Sequence, residues 1–354
     1  MEIVEGSEVI KEIDKQLEEI LAQRKARIKI FGVGGAGNNT IDRMKEVGIE
    51  GAELIAVNTD AQHLLYTKSD YKILIGKELT KGLGAGSDPK IGEEAAKESQ
   101  SELKKKIEDS DLIFITAGLG GGTGTGASPI IAEIAKKMNI LTIGVVTLPF
   151  TIEGSRRFEN AMIGLEKLEE NVNTLIIIPN DKLLELVPDL PLQTAFKISD
   201  EILTNAVKGI IELITKPGLV NLDFADLKAI MGKGGISMIG VGESDSQNRA
   251  YEAIEKALNN PLLDVEVKDI KGALINITGG TDLRLEEAKT IIKAVSEKLG
   301  DDSNLIWGAQ ISEDMKGIIK VLLIATGVKV PWINKKSKLE EKIIEEFGIK
   351  FIRE

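Results

Sequence analysis

The sequence predicts an α/β protein in which a doubly wound, Rossmann-like domain is joined by a long bridging helix to a smaller α+β domain. Three observations predict this architecture. Over residues 27–190, short apolar runs alternate with helical patterns, which is typical of parallel strands covered by helices on both faces. One unbroken helical pattern follows over 191–215. Shorter strand and helix patterns then fill 216–330.

The strands of the first domain are predicted where apolar residues follow one another in short runs. They are Ile28–Val33, Leu54–Val57, Lys72–Ile75, Leu112–Ala117, Leu141–Leu148 and Leu175–Ile178. In the second domain the patterns predict strands over 236–242, 272–278, 304–311 and 318–328, and helices over 247–258 and 284–299. Because ligands of such parallel sheets bind beyond the carboxyl ends of the strands, we expect the chemistry in the loops that follow them.

The two ends of the chain are predicted to lie outside these domains. Residues 1–26 contain an amphipathic helical pattern, which predicts an N-terminal helical extension that docks on the body or, as the alternative, binds a partner. Residues 331–354 form a tail of mixed charge. Its apolar segment around Phe347 is expected either to pack against the body or to engage a partner protein.

Composition excludes several classes of function. The net charge of -11 argues against a nucleic-acid-binding surface, which would be basic. The absence of cysteine excludes disulfides, thiolate catalysis and cysteine metal sites, and a single histidine leaves little for zinc. No apolar run is long enough to span a bilayer and the first residues are acidic, so we expect a cytoplasmic protein without direct membrane insertion.

The stretch 118–126 is the strongest local signal, because it contains six glycines in nine residues. It lies between a predicted buried strand and a helix that we expect to begin at Ser128-Pro129. Without Cβ atoms, such a loop can fold closely around an anion and direct successive N–H groups toward it. The alternative, a flexible linker, is disfavoured because linkers seldom join a buried strand to a helix. The stretch therefore predicts a phosphate-binding loop.

A second glycine motif leaves the class of nucleotide protein open. Gly32–Gly37 matches the G-x-G-x-x-G dinucleotide fingerprint, and Asp60 ends the second predicted strand where a dinucleotide site needs an acid. An NAD-dependent oxidoreductase is therefore one alternative, and a non-catalytic nucleotide-binding scaffold is another. A P-loop is excluded, since neither Gly-Lys pair, at 76–77 or 232–233, is followed by Ser or Thr.

Two pairs of charged residues have simple structural interpretations when taken alone. Glu153 and Arg157 are four residues apart on a predicted helix, which favours an exposed ion pair. Asp223 and Asp226 lie in the first turn of a short predicted helix, where the helix dipole favours carboxylates.

Several motifs occur in an order and spacing that a known family shares. They are GVGGAGNN at 32–39, NTDAQ at 58–62, GAG at 84–86, GGGTGTG at 120–126, TLPF at 147–150, IPN at 178–180 and NLDFAD at 221–226. From about Ile28 to Val328 the chain resembles FtsZ, the tubulin-like prokaryotic cell-division GTPase, in its archaeal form. The resemblance implies a tubulin/FtsZ-like fold, GTP hydrolysis, head-to-tail polymerisation and a division ring at mid-cell.

The resemblance also assigns roles to residues of these motifs. It places Glu153 on the ribose and Arg157 on the nucleotide. It identifies the loop of Asn221, Asp223 and Asp226 as catalytic, because in the family this loop reaches the GTP of the next subunit and polarises the attacking water. The phosphate-binding residues that it implies are Gly34, Gly35, Ala36, Gly37, Asn38, Gly84, Ala85, Gly86, Gly121, Gly122, Thr123, Gly124, Thr125 and Gly126.

The base is assigned to the predicted long helix, where Phe196 and Asp200 are four residues apart. Without the resemblance, Phe196 would be taken as a core residue. With it, Phe196 stacks on the purine and Asp200 accepts from guanine N1–H and N2–H₂, donors that adenine lacks on that edge. We therefore expect GTP rather than ATP, with Asn180 and Asn39 completing the base pocket.

The resemblance implies GTP and GDP as ligands, with Mg²⁺ held mainly through the phosphates and no protein metal site. It implies self-association as the main partnership, and a membrane adaptor or other division proteins that bind the C-terminal tail. One departure from the family is Asp88, which stands before Pro89 where the family usually has Asn. We expect Asp88 to cap a helix whose first residue is Pro89.

Overall fold

The computed structural model describes residues 26–186, 191–216, 218–220, 222–263, 270–299 and 304–328. The predicted N-terminal helical extension, the predicted tail and Asn221 lie outside the described residues.

A ten-stranded sheet forms the centre of the described structure, in the order β3-β2-β1-β4-β5-β6-β7-β10-β8-β9. The strands are β1 (Ile28–Val33), β2 (Ala52–Asn58), β3 (Tyr71–Leu74), β4 (Leu112–Gly118), β5 (Leu141–Leu148), β6 (Thr174–Pro179), β7 (Gly235–Ser244), β8 (Gly272–Gly279), β9 (Asn304–Ile311) and β10 (Ile319–Thr326). Strands β1 to β6 are parallel, and β10 runs antiparallel to both β7 and β8.

Helices cover both faces of this sheet. They are α1 (Gly34–Val47), α2 (Ala61–Tyr66), α3 (Lys77–Thr80), α4 (Pro89–Glu98), α5 (Gln100–Ile107), α6 (Thr123–Lys137), α7 (Ser155–Glu169), α8 (Asn180–Leu186), α9 (Leu192–Thr215), α10 (Phe224–Met231), α11 (Arg249–Leu258) and α12 (Leu285–Ser296). Successive residues of a strand point to opposite faces, so Ile30 of β1 joins one apolar core and Phe31 the other. One core lies under α4 to α7, α11 and α12, and the other under α1, α9 and α10.

The predicted fold class is confirmed, since a mostly parallel Rossmann-like sheet is followed by a smaller C-terminal part. Strands β6 and β7 pair in parallel over only three residue pairs, beginning at Thr174 and Gly235. The sheet is therefore continuous between the two predicted domains, and the exact domain boundaries stay a prediction.

The long helix α9 runs from the carboxyl ends of the parallel strands to their amino ends, which form two opposite edges of the sheet. Ser199, near its start, donates from Oγ to Oδ1 of Asn180 at 2.8 Å, directly after the carboxyl end of β6. Thr215, its last residue, packs against Gly51, which precedes the amino end of β2. At a rise of 1.5 Å per residue, about 24 Å separate Ser199 from Thr215. The helix therefore spans the sheet from one edge to the other.

The predicted start of the helix at Ser128-Pro129 is wrong. Helix α6 begins at Thr123 and contains Pro129 in its interior. A Cβ on Gly126 would lie 2.0 Å from the carbonyl oxygen of Pro89, and one on Gly124 would lie 2.8 Å from that of Gly118. These glycines thus let α6 approach other backbone closely, a requirement of tertiary packing that outweighs their low helix propensity.

The predicted common helix for Glu153 and Arg157 is also wrong. Glu153 ends a 3-10 turn over Thr151–Glu153, and Arg157 belongs to α7. Gly154 separates the two elements with a φ of +98°, a conformation that breaks a right-handed helix.

Candidate functional site

A cavity of about 520 Å³ lies at the carboxyl ends of the parallel strands. Its walls come from the segments that end or follow all six of those strands, β1 to β6. This is the position at which parallel α/β sheets bind their ligands. Of the predicted site residues, those that line it are Gly35, Ala36, Gly84, Ala85, Gly86, Gly121, Gly122, Thr123, Gly124, Glu153, Arg157, Asn180, Phe196 and Asp200.

One side of the cavity is formed by the first turns of α1 and α6. Gly34 begins α1 with a φ of +74°, and a Cβ there would lie 2.7 Å from the amide nitrogen of Gly124. Two helix N-termini, each with unpaired amides and a positive dipole end, are thereby brought together. This side can hold a negatively charged group without any cationic side chain.

Some predicted phosphate-binding residues lie behind this wall rather than on the cavity. Thr125 Oγ1 accepts from the amide of Gly120 at 2.8 Å, which holds the glycine loop in shape. With its amide oriented to satisfy its neighbours, Asn38 donates to the carbonyl of Gly32 at 2.9 Å and accepts from Asn58 Nδ2 at 3.0 Å. Gly34, Gly37 and Gly126 are likewise absent from the cavity lining, and so is Asn39, the residue predicted to complete the base pocket with Asn180.

A third loop, over residues 84–88, lies against the start of α6, since a Cβ on Gly122 would lie 2.7 Å from Ala85 Cβ. Its first amide, of Gly84, donates to the carbonyl of Thr59 at 3.1 Å. Asp88 accepts from the amide of Lys90 at 2.9 Å and caps α4, whose first residue is Pro89. The predicted capping role of Asp88 is confirmed.

The Glu153 and Arg157 side chains meet at the rim of the cavity. They form an ion pair, and Glu153 Oε1 also accepts from the amide of Phe150 at 2.8 Å. The Glu153 side chain is 13% exposed and that of Arg157 is 47% exposed. Glu153 is therefore held by the Phe150 amide as well as by Arg157, whereas Arg157 is paired with Glu153 and is half exposed.

The far end of the cavity is formed by α9 and carries the side chains suited to a base. Phe196 packs edge-on against Phe150 with 5.2 Å between ring centroids and is 40% exposed. Burial raises the pKa of Asp200 to about 6, and a hydrogen bond from Thr40 Oγ1 at 3.4 Å opposes that rise. A ring face and a carboxylate thus lie one helical turn apart on the same wall.

The two predicted catalytic acids lie at the opposite edge of the sheet. Asp223 caps α10 by accepting from the amide of Asp226 at 2.7 Å, and both side chains are exposed. The last residue of α10, Met231, accepts from Thr174 Oγ1 at the amino end of β6. The acids follow the end of α9, about 24 Å along that helix from the base wall. They do not line the cavity of their own chain.

Sequence reasoning missed several residues that line the cavity. They are Asn58, His63, Leu83, Thr147, Pro149 and Ser199. Most of them end a strand or follow one, which is the signal that could have found them. Ser199 had no such signal, since only the course of α9 turns it toward the site.

Two features are absent from the described residues. Within those ranges, no group of three or more His, Asp or Glu side chains could hold a metal ion. Over the same part of the chain, no helix is long and apolar enough to cross a membrane.

Comparison with known proteins decides the family. Residues 27–188 match the model of the Tubulin/FtsZ family, GTPase domain, and residues 235–329 match that of the FtsZ family, C-terminal domain. The chain belongs to the FtsZ family. It is 58% identical to cell division protein FtsZ 1 of Thermococcus kodakarensis over 95% of this chain and 89% of that protein. It is 57% identical to FtsZ 1 of Methanocaldococcus jannaschii over 95% of this chain and 92% of the relative.

Solved structures agree with this assignment. An FtsZ dimer from M. jannaschii matches with a TM-score of 0.85 and 59% identity over 89% of this chain and 92% of that one. A protofilament of CetZ2 from Haloferax volcanii, bound to GTPγS, matches at 0.75 over 91% of this chain and 100% of that one. Its identity of 20% shows the fold alone. The chain thus carries a GTPase domain, and the oxidoreductase and scaffold alternatives find no support.

Proposed function

We propose that this protein binds GTP in the cavity, assembles head to tail and forms the cell-division ring at mid-cell, with hydrolysis completed between two subunits. The cell-division names of its relatives support the role in division, and the dimer among the matched structures supports self-association. One observation carries the division of the site: the cavity and the acids lie at opposite edges of the sheet.

The phosphates are proposed to lie between the first turns of α1 and α6. Gly35, Ala36, Gly122, Thr123 and Gly124 line this part of the cavity, and their amides would be the donors. A bound phosphate chain would replace the water on these amides and would be favoured by both helix dipoles. The loop over residues 84–86 would close over the terminal phosphate.

The guanine is proposed to lie against α9. Phe196 offers a ring face for stacking, and Asp200 offers two oxygen acceptors for N1–H and N2–H₂. Adenine would leave the buried carboxylate facing an acceptor, which is unfavourable. Asn180 and Ser199 lie beside this wall and would border the base.

Mg²⁺ is proposed to be held mainly by phosphate oxygens. The candidate carboxylates near the phosphate side, Asp60 and Asp88, each cap a helix by accepting a backbone amide. The ion would therefore be brought in with the nucleotide rather than held by these two carboxylates. Bound there, it would neutralise phosphate charge.

Hydrolysis is proposed to need the acids of a second subunit. Asp223 and Asp226 are exposed at the edge opposite the cavity, so head-to-tail contact would bring them to a neighbour's phosphates. A carboxylate there would orient the attacking water and accept its proton. Asn221 belongs to the same segment and is proposed to assist.

Two variants test this division. Gly35→Asp adds a carboxylate to the phosphate side at a position where a Cβ meets nothing within 4 Å, so the fold is retained and nucleotide binding is lost. Asp226→Asn keeps an acceptor oxygen for the Asp223 amide but loses the charge. Each variant alone should be inactive, while the mixture should recover part of the GTPase activity.

The parent protein provides a second test, through the dependence of its GTPase rate on protein concentration. Its GTPase rate per molecule should rise with protein concentration. A rate that stays constant down to dilute monomer, without recovery in the mixture, would place the whole site within one subunit.

The C-terminal tail is proposed to bind a membrane adaptor or another division protein. This proposal rests on its apolar and charged composition, because residues 331–354 lie outside the described residues. A protein lacking 335–354 should assemble with GTP as the parent does. Loss of folding or assembly would instead favour packing of the tail on the body.

A further inference from the structure

A pair of buried hydroxyls lies directly behind the phosphate side of the cavity. Thr59, which follows β2, is 0% exposed, and its Oγ1 lies 2.6 Å from Oγ1 of Thr123. Thr123 is the first residue of α6 and lines the cavity, whereas Thr59 does not. Thr59 would therefore never touch a ligand, yet it contacts a residue that would.

The direction of this hydrogen bond follows from the surroundings of Thr59. A hydroxyl has one proton to donate, so only one of the two threonines donates to the other. Within the described residues, Thr59 Oγ1 has no other hydrogen-bond partner than Thr123 Oγ1. If Thr123 donated, the buried proton of Thr59 would have no acceptor, which is costly. Thr59 is therefore the donor.

This direction decides what Thr123 presents to the cavity. Because its oxygen already accepts from Thr59, its own proton is left to point outward. A phosphate oxygen is an acceptor and needs such a donor. The opposite direction would present lone pairs to the phosphate and repel it.

The backbone of Thr59 is fixed independently of this hydroxyl. Its carbonyl accepts from the amide of Gly84 at 3.1 Å and from Thr80 Oγ1 at 3.3 Å. A change confined to the hydroxyl therefore leaves the contact with the loop over residues 84–88 intact.

We propose that Thr59 is a positioning residue for the nucleotide phosphates: its buried hydroxyl donates to Thr123 Oγ1 and so directs the Thr123 proton to a phosphate oxygen. This inference rests on the proposed placement of the phosphates between α1 and α6. The two hydroxyls form a chain in which the first polarises the second, which strengthens the outer bond.

Calorimetric titration of the full chain with GDP, with GTP and with guanosine tests the proposal. Thr59→Val keeps the branched shape and removes the hydroxyl. It should weaken GDP and GTP binding about tenfold while leaving guanosine affinity unchanged. Thr59→Ser keeps the hydroxyl and should bind all three ligands within about twofold of the parent.

A second variant, Thr123→Val, distinguishes this role from a general loss of stability. In Thr123→Val, the Thr59 hydroxyl has lost its acceptor, so the melting temperature should fall. Adding Thr59→Val should restore part of it without a further loss of GDP affinity. These readouts require no hydrolysis.

The outcomes distinguish the two proposals. If the parent binds GDP and Thr59→Val binds it equally tightly, the positioning role fails and the proposed site stands. If guanosine affinity falls in parallel with that of GDP, Thr59 is only structural and the proposal fails. If the parent discriminates neither GDP nor GTP from guanosine, the proposed placement of the phosphates fails.

Discussion

The two ends of the cavity, the phosphate side and the base side, are formed by backbone and by side chains respectively. The phosphate side consists of backbone at the starts of α1 and α6, where a Cβ on Gly34 or on Gly122 would lie 2.7 Å from a neighbouring atom. The base side consists of side chains on one helix, with Phe196 40% exposed and Asp200 partly buried. The difference indicates that the phosphate side is fixed by folding, whereas the base side can be altered by substitution at little cost to the fold.

The largest effect is expected on the phosphate side, from Gly34→Ala. The residue has a φ of +74° and its Cβ would lie 2.7 Å from the Gly124 amide nitrogen. We expect the free energy of unfolding to fall by about 2–4 kcal/mol, measured by chemical denaturation, with GTP binding lost. The matched control is Gly35→Ala, whose Cβ meets nothing within 4 Å and which should change stability by less than about 0.5 kcal/mol. Equal stability of the two variants would remove the contrast between the ends.

The next effect is expected on the base side, from Asp200→Asn. An amide can accept from N1–H but donates where guanine N2–H₂ also donates, so GTP affinity should fall about a hundredfold. Xanthine carries an oxygen at that position and should bind the variant better than guanine does. Competition binding with GTP and xanthosine triphosphate measures this change in base preference. Unchanged preference for GTP would place the base elsewhere.

The pH dependence of nucleotide binding is expected to be smaller. The base donors need the ionised form of Asp200, and burial raises its pKa to about 6. GDP affinity should therefore fall about tenfold between pH 7 and pH 5, by titration at each pH. The GDP phosphates also titrate in this range. Because Asp200→Asn lacks the carboxyl, its pH profile of GDP affinity shows the contribution of the phosphates alone. Identical profiles of parent and variant would contradict the role of Asp200.

The stability of the nucleotide-free protein should also depend on the ionisation of Asp200, but in the opposite direction, so that it falls as pH rises. The pKa of Asp200 in the folded chain lies above its ordinary value, so the native state binds the proton more tightly than the unfolded state. Protonation thus favours folding, and this contribution is lost as pH rises from about 4 to 6. Asp200→Asn should remove that slope from the denaturation midpoint, and persistence of the slope would assign it to another group.

The smallest effect is expected from Phe196→Leu. The leucine keeps apolar area but loses the edge-on contact with Phe150 and the ring face for the base. Guanosine affinity should fall about threefold to tenfold, with little change in melting temperature. A large loss of stability would show that Phe196 belongs to the core and not to the base side.

The same contrast explains what the sequence could predict. Strands β1 and β5 begin and end where their apolar runs predict, because burial on both faces leaves a local pattern. The predicted start of α6 is wrong because glycine is required at position 126 by a close contact with Pro89, which is distant in sequence. Gly154 broke the predicted helix of Glu153 and Arg157 through a backbone angle that no periodicity reveals.

For the site, the order of motifs predicted more than local chemistry could. Phe196 alone would be read as core, and Asp223 alone as a helix cap, which it also is. The roles of the individual side chains stay predictions. Thr59 and Ser199 entered only with the structure, since their importance depends on which neighbour the fold brings to them.

The length of α9 gives the molecule two chemically unlike ends. One end presents the cavity, and the other presents two exposed carboxylates. In any linear array that joins one kind of end to the other, the two tips cannot be equivalent. At one tip of such an array a cavity would face solvent with no acids opposite it, so a nucleotide bound there would exchange without being hydrolysed. Every interior cavity would be covered by the next subunit, so such an array would have a direction.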